Sequence, residues 1–275
     1  MRDMLTAIVI VLVVTIAVWY TATICRRKHP AWNVLKHYRY AHCGYHDKPT
    51  IPENSMAAFR RAVERGWGAE LDVHLMKNGN LAVIHDSSLK RTAGADVCIE
   101  DLTESELGQY YLEESSEQIP LLPEVLELFE EKTPLIIELK SERGNHAELS
   151  EAVAKLLDTY KGDYCIESFD YRVVQWFRRN RPNVFRGQLA YDYYRSEKKM
   201  TGWQRFYRTN LWSNIFTKPD FIAYKFEHRD ATGLFLCQTL HRPVTVYWTL
   251  RKKADLLTAE REQAGCIFEC FDPGR

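Results

Sequence analysis

Two histidines, His42 and His85, bracket a Glu-x-Asp pair, Glu70 and Asp72, and each group stands where a short apolar run ends. On a strand, side chains at i and i+2 share a face, so Glu70 and Asp72 would project together. Two such carboxylates repel each other unless a cation lies between them, and hard oxygen ligands suit Mg²⁺ or Ca²⁺. Imidazoles beside a metal-held electrophile can take and give a proton near neutral pH. Singly, each residue has a plainer reading: a strand-end histidine is usually hydrogen-bonded structure, and a Glu-x-Asp pair a solvated face. Four such groups between Ala41 and Asp86 shift the balance toward a metal-assisted acid/base site.

The elements that must carry these groups follow from periodicity. Strands are expected at Tyr38 to His42, Gly68 to Leu75 and Leu81 to His85, the last two joined by a tight Asn78-Gly79 turn into a hairpin. Between them Asn54 is expected to cap a helix running to about Arg65, with Met56, Phe59, Ala62 and Val63 at core spacing. The segment Ser87 to Pro120 reads as an acidic loop in which Glu113, Glu114 and Glu117 form a solvated face. Pro123 opens a helix through Glu131. Strand Leu135 to Leu139 then ends so that Glu138 and Lys140 share one side.

Beyond it strand and helix alternate, which favours a parallel sheet and, at 275 residues, a closed barrel. The expected order is helix Ala147 to Tyr160, strand Tyr164 to Glu167, helix Tyr171 to Asn180, strand Phe185 to Ala190. A longer insert, Tyr191 to Phe216, is rich in aromatic and basic residues and reads as an amphipathic lid on the barrel mouth, or as a contact with lipid headgroups. Strand Phe221 to Tyr224, helix Ala231 to Leu240, strand Val244 to Trp248, helix Lys252 to Ala264 and strand Cys266 to Phe268 follow. Without the hairpin return this makes eight strands.

The order of motifs resembles the glycerophosphodiester phosphodiesterase family: Ala41-His42-Cys43-Gly44, Pro52-Glu53-Asn54-Ser55, Glu70-Leu71-Asp72-Val73, Val83-Ile84-His85-Asp86 and Leu89-Lys90-Arg91-Thr92, then Glu138-Leu139-Lys140, Ser168-Phe169-Asp170 and Tyr247-Trp248-Thr249. That resemblance implies a (β/α)₈ TIM barrel, with Glu70, Asp72 and Glu138 holding a divalent metal, Mg²⁺ or Ca²⁺, and His42 and His85 as the acid/base pair. Lys140 would face the phosphate, and Phe169 and Trp248 would line the glycerol side. The implied reaction is hydrolysis of a glycerophosphodiester to an alcohol and glycerol 3-phosphate, in lipid or glycerol metabolism. Cys43 stands where relatives carry arginine, and a neutral thiol cannot replace a bidentate phosphate clamp. Lys140 and Arg91 are the candidate replacements. The alternatives are phospholipase D-like cleavage of a lysolipid headgroup, and a weakly active binding protein. Relatives also carry Thr-Asp-x-Pro and a closing helix where this chain has Glu269-Cys270-Phe271-Asp272-Pro273, so a last barrel helix is not expected and His29 to His37 would cover the gap.

Composition bounds the remaining classes. The chain has 37 basic and 37 acidic residues and 45% apolar residues, enough for a core and with no electrostatic bid for nucleic acid. Seven cysteines without CxxC spacing read as buried core residues in a reducing compartment rather than as a disulfide or zinc framework. Met4 to Ile24 is an uncharged apolar run long enough to cross a bilayer, with Trp19 and Tyr20 suited to an interfacial belt. Residues 1–25 are thus expected as a single transmembrane anchor, 26–37 as a basic juxtamembrane linker that keeps the catalytic face near the bilayer, and 38–275 as the barrel domain. Arg26, Arg27, Lys28, Lys36 and Arg39 follow the helix, whereas Arg2 and Asp3 cancel before it, so the positive-inside bias puts the barrel in the cytoplasm.

Overall fold

The computed structural model describes residues 2–26, 29–197 and 199–274; Arg27 and Lys28 of the basic flank lie outside the described residues. Nine strands form one sheet: β1 (Arg39–Ala41), β2 (Gly68–Leu75), β3 (Leu81–Val83), β4 (Leu135–Leu139), β5 (Tyr164–Ser168), β6 (Arg186–Ala190), β7 (Phe221–Lys225), β8 (Val244–Leu250) and β9 (Gly265–Phe268). β3 pairs antiparallel with β2, Val73 opposite Val83. The other eight are parallel and close through β1, where Tyr40 pairs with Gly68 on one side and Ile267 on the other. The barrel is therefore the eight-stranded one expected.

Continuous apolar strands demand cover on both faces. Inside the barrel Tyr40, Ile136, Cys165, Phe221, Val246 and Ile267 pack together; outside, the helices seal a second layer containing Phe59, Leu126, Val153 and Phe177. Gly187 is required by this filling, because a Cβ there would stand 2.1 Å from the Phe221 ring.

Several local expectations are corrected. The helix Met56–Glu64 is capped by Ser55, whose Oγ accepts from the Ala58 amide at 3.1 Å, not by Asn54; Asn54 takes a left-handed φ of 52° and turns its amide elsewhere. The helix opened by Pro123 stops at Phe129, and β3 ends at Val83, leaving His85 in the turn beyond it. The acidic cluster is not a free solvated face: Glu113 pairs with Lys48 at 2.8 Å and Glu117 accepts from the Ala57 amide at 2.9 Å, leaving Glu114 exposed.

The basic linker is also part of the fold. Trp32–Leu35 is a short helix whose Leu35 is buried in the interior cluster at the foot of the barrel, the end where the parallel strands begin. The Tyr40 hydroxyl donates to the Leu35 carbonyl at 2.9 Å. His29 to His37 thus plugs the foot, opposite the ends that carry the chemistry. No helix follows β9 among the described residues; the extended tail seals the seam, with Phe271 against Phe268, Arg65 on Asp272 at 2.8 Å and Arg39 donating to the Gly274 carbonyl at 3.0 Å.

Before the plug runs the helix Arg2–Thr23, whose stretch Arg2–Thr21 has a mean hydropathy of 2.4, is unburied, and is apolar enough to cross a membrane, a test that a signal sequence also passes. Its end meets the foot: Lys218 Nζ donates to the Thr21 carbonyl, Arg26 pairs with Asp220 just ahead of β7, and Tyr20 lies 4.4 Å from the His241 ring.

Candidate active site

Each candidate group leaves the barrel at the ends where the parallel strands finish. Glu70 and Asp72 project inward from β2, both almost fully buried, and Glu138 does so from β4, in register with Asp72. One oxygen from each of the three carboxylates lies within 4.8 Å of the others. The sequence placed these three together, and the structure does as well.

The electrostatics of the cluster are those of a cation site. Burial, and then the neighbouring Asp72 and Glu138 charges, push the Glu70 carboxyl well above the usual range. Burial also raises Glu138, with Lys140 pulling the other way. At Asp72 burial opposes ionisation, but the Lys140 ammonium and the two imidazoles outweigh it and hold the carboxyl low. Lys140 Nζ sits 3.0 Å from Asp72 Oδ1 and 2.9 Å from Glu138 Oε1. A tight set of buried hard oxygens, two of whose carboxyls burial drives toward protonation, fits a divalent oxygen-seeking ion.

The histidines flank this set, with ring centroids 6.4 Å apart. His42 follows β1, its Nε2 3.9 Å from Glu70 and its Nδ1 3.9 Å from Glu269. Burial lowers its imidazole to about 4, although Glu269 and Asp72 pull the other way. His85 is more open, and its Nδ1 is held by Asp86 at 2.6 Å, an orienting contact that leaves Nε2 for proton transfer.

Arg91 Nε donates to Asp86 at 2.6 Å and one of its terminal nitrogens to Glu53. The guanidinium thereby braces Asp86 behind His85. Cys43 is buried, with a φ of 51°; its amide donates to Glu70 at 3.1 Å and its thiol to Asp72 at 3.3 Å. Phe169 and Trp248 meet edge to face at 5.5 Å. Phe169 lines a cavity of about 540 Å³ over Glu138 and Lys140, whose wall includes Arg208.

Sequence reasoning missed five groups. Asn54 donates to Asp72 at 2.9 Å. Glu167, next to Glu138 in register, is buried, and burial raises its carboxyl; an acidic residue ending the apolar run Tyr164-Cys165-Ile166 was the available signal. Glu269 and His46 meet at 3.3 Å beside His42, and Arg251 pairs with Glu269 at 2.7 Å.

Known proteins fit this geometry. A glycerophosphodiester phosphodiesterase from Bacillus altitudinis is 34% identical over 164 residues, covering 56% of this chain and 66% of that protein. The lysophospholipase D GDPD1 of Rattus norvegicus is 38% identical over 125 residues, covering 41% of this chain and 38% of that protein. The chain thus spans no more than about two thirds of the length of these relatives. An Oleispira antarctica phosphodiesterase solved with the product sn-glycerol-3-phosphate shares the fold, with a TM-score of 0.67 at 21% identity over 84% of this chain and 92% of that one. With the family's pattern matched over residues 42–264, across the strands that deliver both histidines and all three acids, the chain belongs to the glycerophosphoryl diester phosphodiesterase family.

Proposed function

We propose that this protein hydrolyses a glycerophosphodiester to an alcohol and glycerol 3-phosphate with a divalent metal, Mg²⁺ or Ca²⁺, held by Glu70, Asp72 and Glu138. The observation that carries this reading is the convergence of those carboxylate oxygens within 4.8 Å of one another beside two imidazoles. The bound ion supplies Lewis-acid polarisation of a phosphoryl oxygen. His42, lowered to about 4 by burial, is neutral at physiological pH and accepts a proton from the attacking water. His85, oriented by Asp86, delivers a proton to the leaving alcohol. Lys140 shifts from its two carboxylates to the phosphate, supplying the cation that Cys43 does not. Phe169 and Trp248 pack on the glycerol.

The similarity to the rat lysophospholipase D supports a second substrate class, lysophospholipids cleaved at the headgroup. The apolar helix Arg2–Thr23 is read as a single membrane anchor formed by residues 1–25, and the charge bias places the barrel, residues 38–275, in the cytoplasm.

A coupled glycerol 3-phosphate assay on the full chain with glycerophosphocholine tests the reaction. Turnover should need added Mg²⁺ or Ca²⁺, stop with EDTA and fall about 10²- to 10⁴-fold in His85→Ala. Activity that survives EDTA and both His85→Ala and Glu70→Gln would place the chemistry elsewhere.

A further inference from the structure

The His42 ring has a ligand set on each of its two nitrogens. Nε2 faces Glu70 at 3.9 Å and Nδ1 faces Glu269 at 3.9 Å. On the Nδ1 side, His46 comes from the loop after β1, and Glu269 follows β9, the strand that pairs with β1. One atom from each of His42, His46 and Glu269 lies within 4.8 Å of the others. His46 Nε2 stands 3.3 Å from Glu269 Oε1, past the roughly 2.7–3.2 Å of an N–H···O hydrogen bond. A tetrahedral ion with bonds of about 2.0–2.2 Å holds its ligand atoms roughly 3.3–3.6 Å apart. The His46–Glu269 distance therefore fits such an ion as it stands, and the His42–Glu269 distance is slightly long. The side chains of His46, Glu269 and His42 are 7%, 15% and 20% exposed, withdrawn from bulk water yet reachable from it. Arg251 pairs with the other carboxylate oxygen, Oε2, at 2.7 Å, and Oε1 is left to face the two rings. Two imidazoles and a carboxylate suit a zinc-type ion, whereas Mg²⁺ and Ca²⁺ take oxygen.

We propose that His42, His46 and Glu269 bind a zinc-type divalent ion, separate from the oxygen cluster, and that this ion switches off His42 as a proton acceptor. The site stands independently of the phosphodiesterase reading above; its effect on turnover rests on that reading. A neutral imidazole carries one N–H and one basic lone pair. An ion on Nδ1 occupies the lone pair and fixes the proton on Nε2, the nitrogen beside Glu70. Nε2 then has nothing with which to take a proton from water, while Glu70, Asp72 and Glu138 keep their own metal. Removing the ion frees the lone pair and restores the base. The neighbouring thiol is a poorer ligand: Cys43 Sγ lies 3.6 Å from His42 Nδ1, but it is buried and donates to Asp72 at 3.3 Å, so it offers no thiolate.

The test titrates Zn²⁺, and Co²⁺ as its spectroscopic stand-in, into the full chain with Mg²⁺ held saturating. Zn²⁺ should displace Co²⁺ from a site whose spectrum has tetrahedral bands and no thiolate charge-transfer band. Glycerophosphocholine turnover, followed by chromatography of the product, should fall as that ion binds and return with a zinc-selective chelator. Each variant is scored against its own zinc-free rate. His46→Gln should raise the zinc concentration for half inhibition by more than about 100-fold, because losing a ligand exceeds the roughly 10- to 100-fold cost of losing an outer partner. Glu269→Gln should raise it as well, and Cys43→Ser should leave it in place. Zinc affinity unchanged in both His46→Gln and Glu269→Gln, a midpoint that climbs in proportion to Mg²⁺, or a thiolate band overturns the site. Zinc bound through His46 with turnover unchanged overturns the switch. Zinc binding that His46→Gln abolishes, in a wild type that turns over no diester, keeps the site and overturns the phosphodiesterase reading.

Discussion

Asn54 offers the sharpest test of how the acidic cluster is held. Its amide donates to Asp72 Oδ2 at 2.9 Å from a position 1% exposed, and its backbone adopts φ 52°. Glycine accepts that backbone without strain, so Asn54→Gly removes the hydrogen bond alone. A hydrogen bond to a buried charge contributes about 1.5–3 kcal/mol, and outer partners of metal ligands change metal affinity about 10- to 100-fold. The two figures agree at about 1.4 kcal/mol per tenfold. Calorimetric titration of the full chain with Mg²⁺ and Ca²⁺ should therefore show affinity weakened about 10- to 100-fold. The metal dependence of turnover should move with it, while the rate at saturating metal is kept. Asn54→Ala should add a folding penalty of about 1–2 kcal/mol, because alanine resists a left-handed φ. Superimposable metal titrations for wild type and Asn54→Gly would refute the argument that this amide organises the ligand.

Two further outcomes follow from burial. Because its folded carboxyl is raised above the ordinary 4.5, Glu70 costs the metal-free protein stability as pH rises through the raised value and costs nothing below 4.5. Glu70→Gln in EDTA should thus melt higher than wild type at about pH 8 and coincide with it at about pH 4; a lower melting temperature at the alkaline end would contradict the sign. Leu35→Ala should lower the free energy of urea unfolding by about 2–5 kcal/mol, since Leu35 is 2% exposed inside the foot, and a loss under about 0.5 kcal/mol would mean the plug is a surface feature.

The strands were legible where the sequence is continuously apolar: β2 and β4 lie where the run Gly68 to Leu75 and the run Leu135 to Leu139 put them. The acids and histidines were legible because their strands end at one rim. What escaped depends on contacts distant in sequence. Asn54 and Ser55 are both good caps, and what decides between them is the demand of Asp72, 18 residues on. Glu117 looked like one of several surface acids until folding brought it to the Ala57 amide, 60 residues away. Nothing near Arg91 in the sequence revealed that Glu53, 38 residues earlier, would share its guanidinium with Asp86. The linker was expected to cover a gap in the barrel wall; its charges are conspicuous in the sequence, and the apolar pair Trp32 and Leu35 that seats it at the foot is not.

The seating of that linker has a mechanical consequence. Arg26 is fastened to Asp220, and the His29 ring lies 3.0 Å from the Asn183 carbonyl, both at the same end of the domain. The apolar helix is therefore tied to the floor of the barrel by side-chain contacts as well as by the chain, with Lys218 on the Thr21 carbonyl and Arg26 on Asp220. A chain cut at Arg39 would lose its floor, Leu35 with it, so a cut belongs ahead of His29.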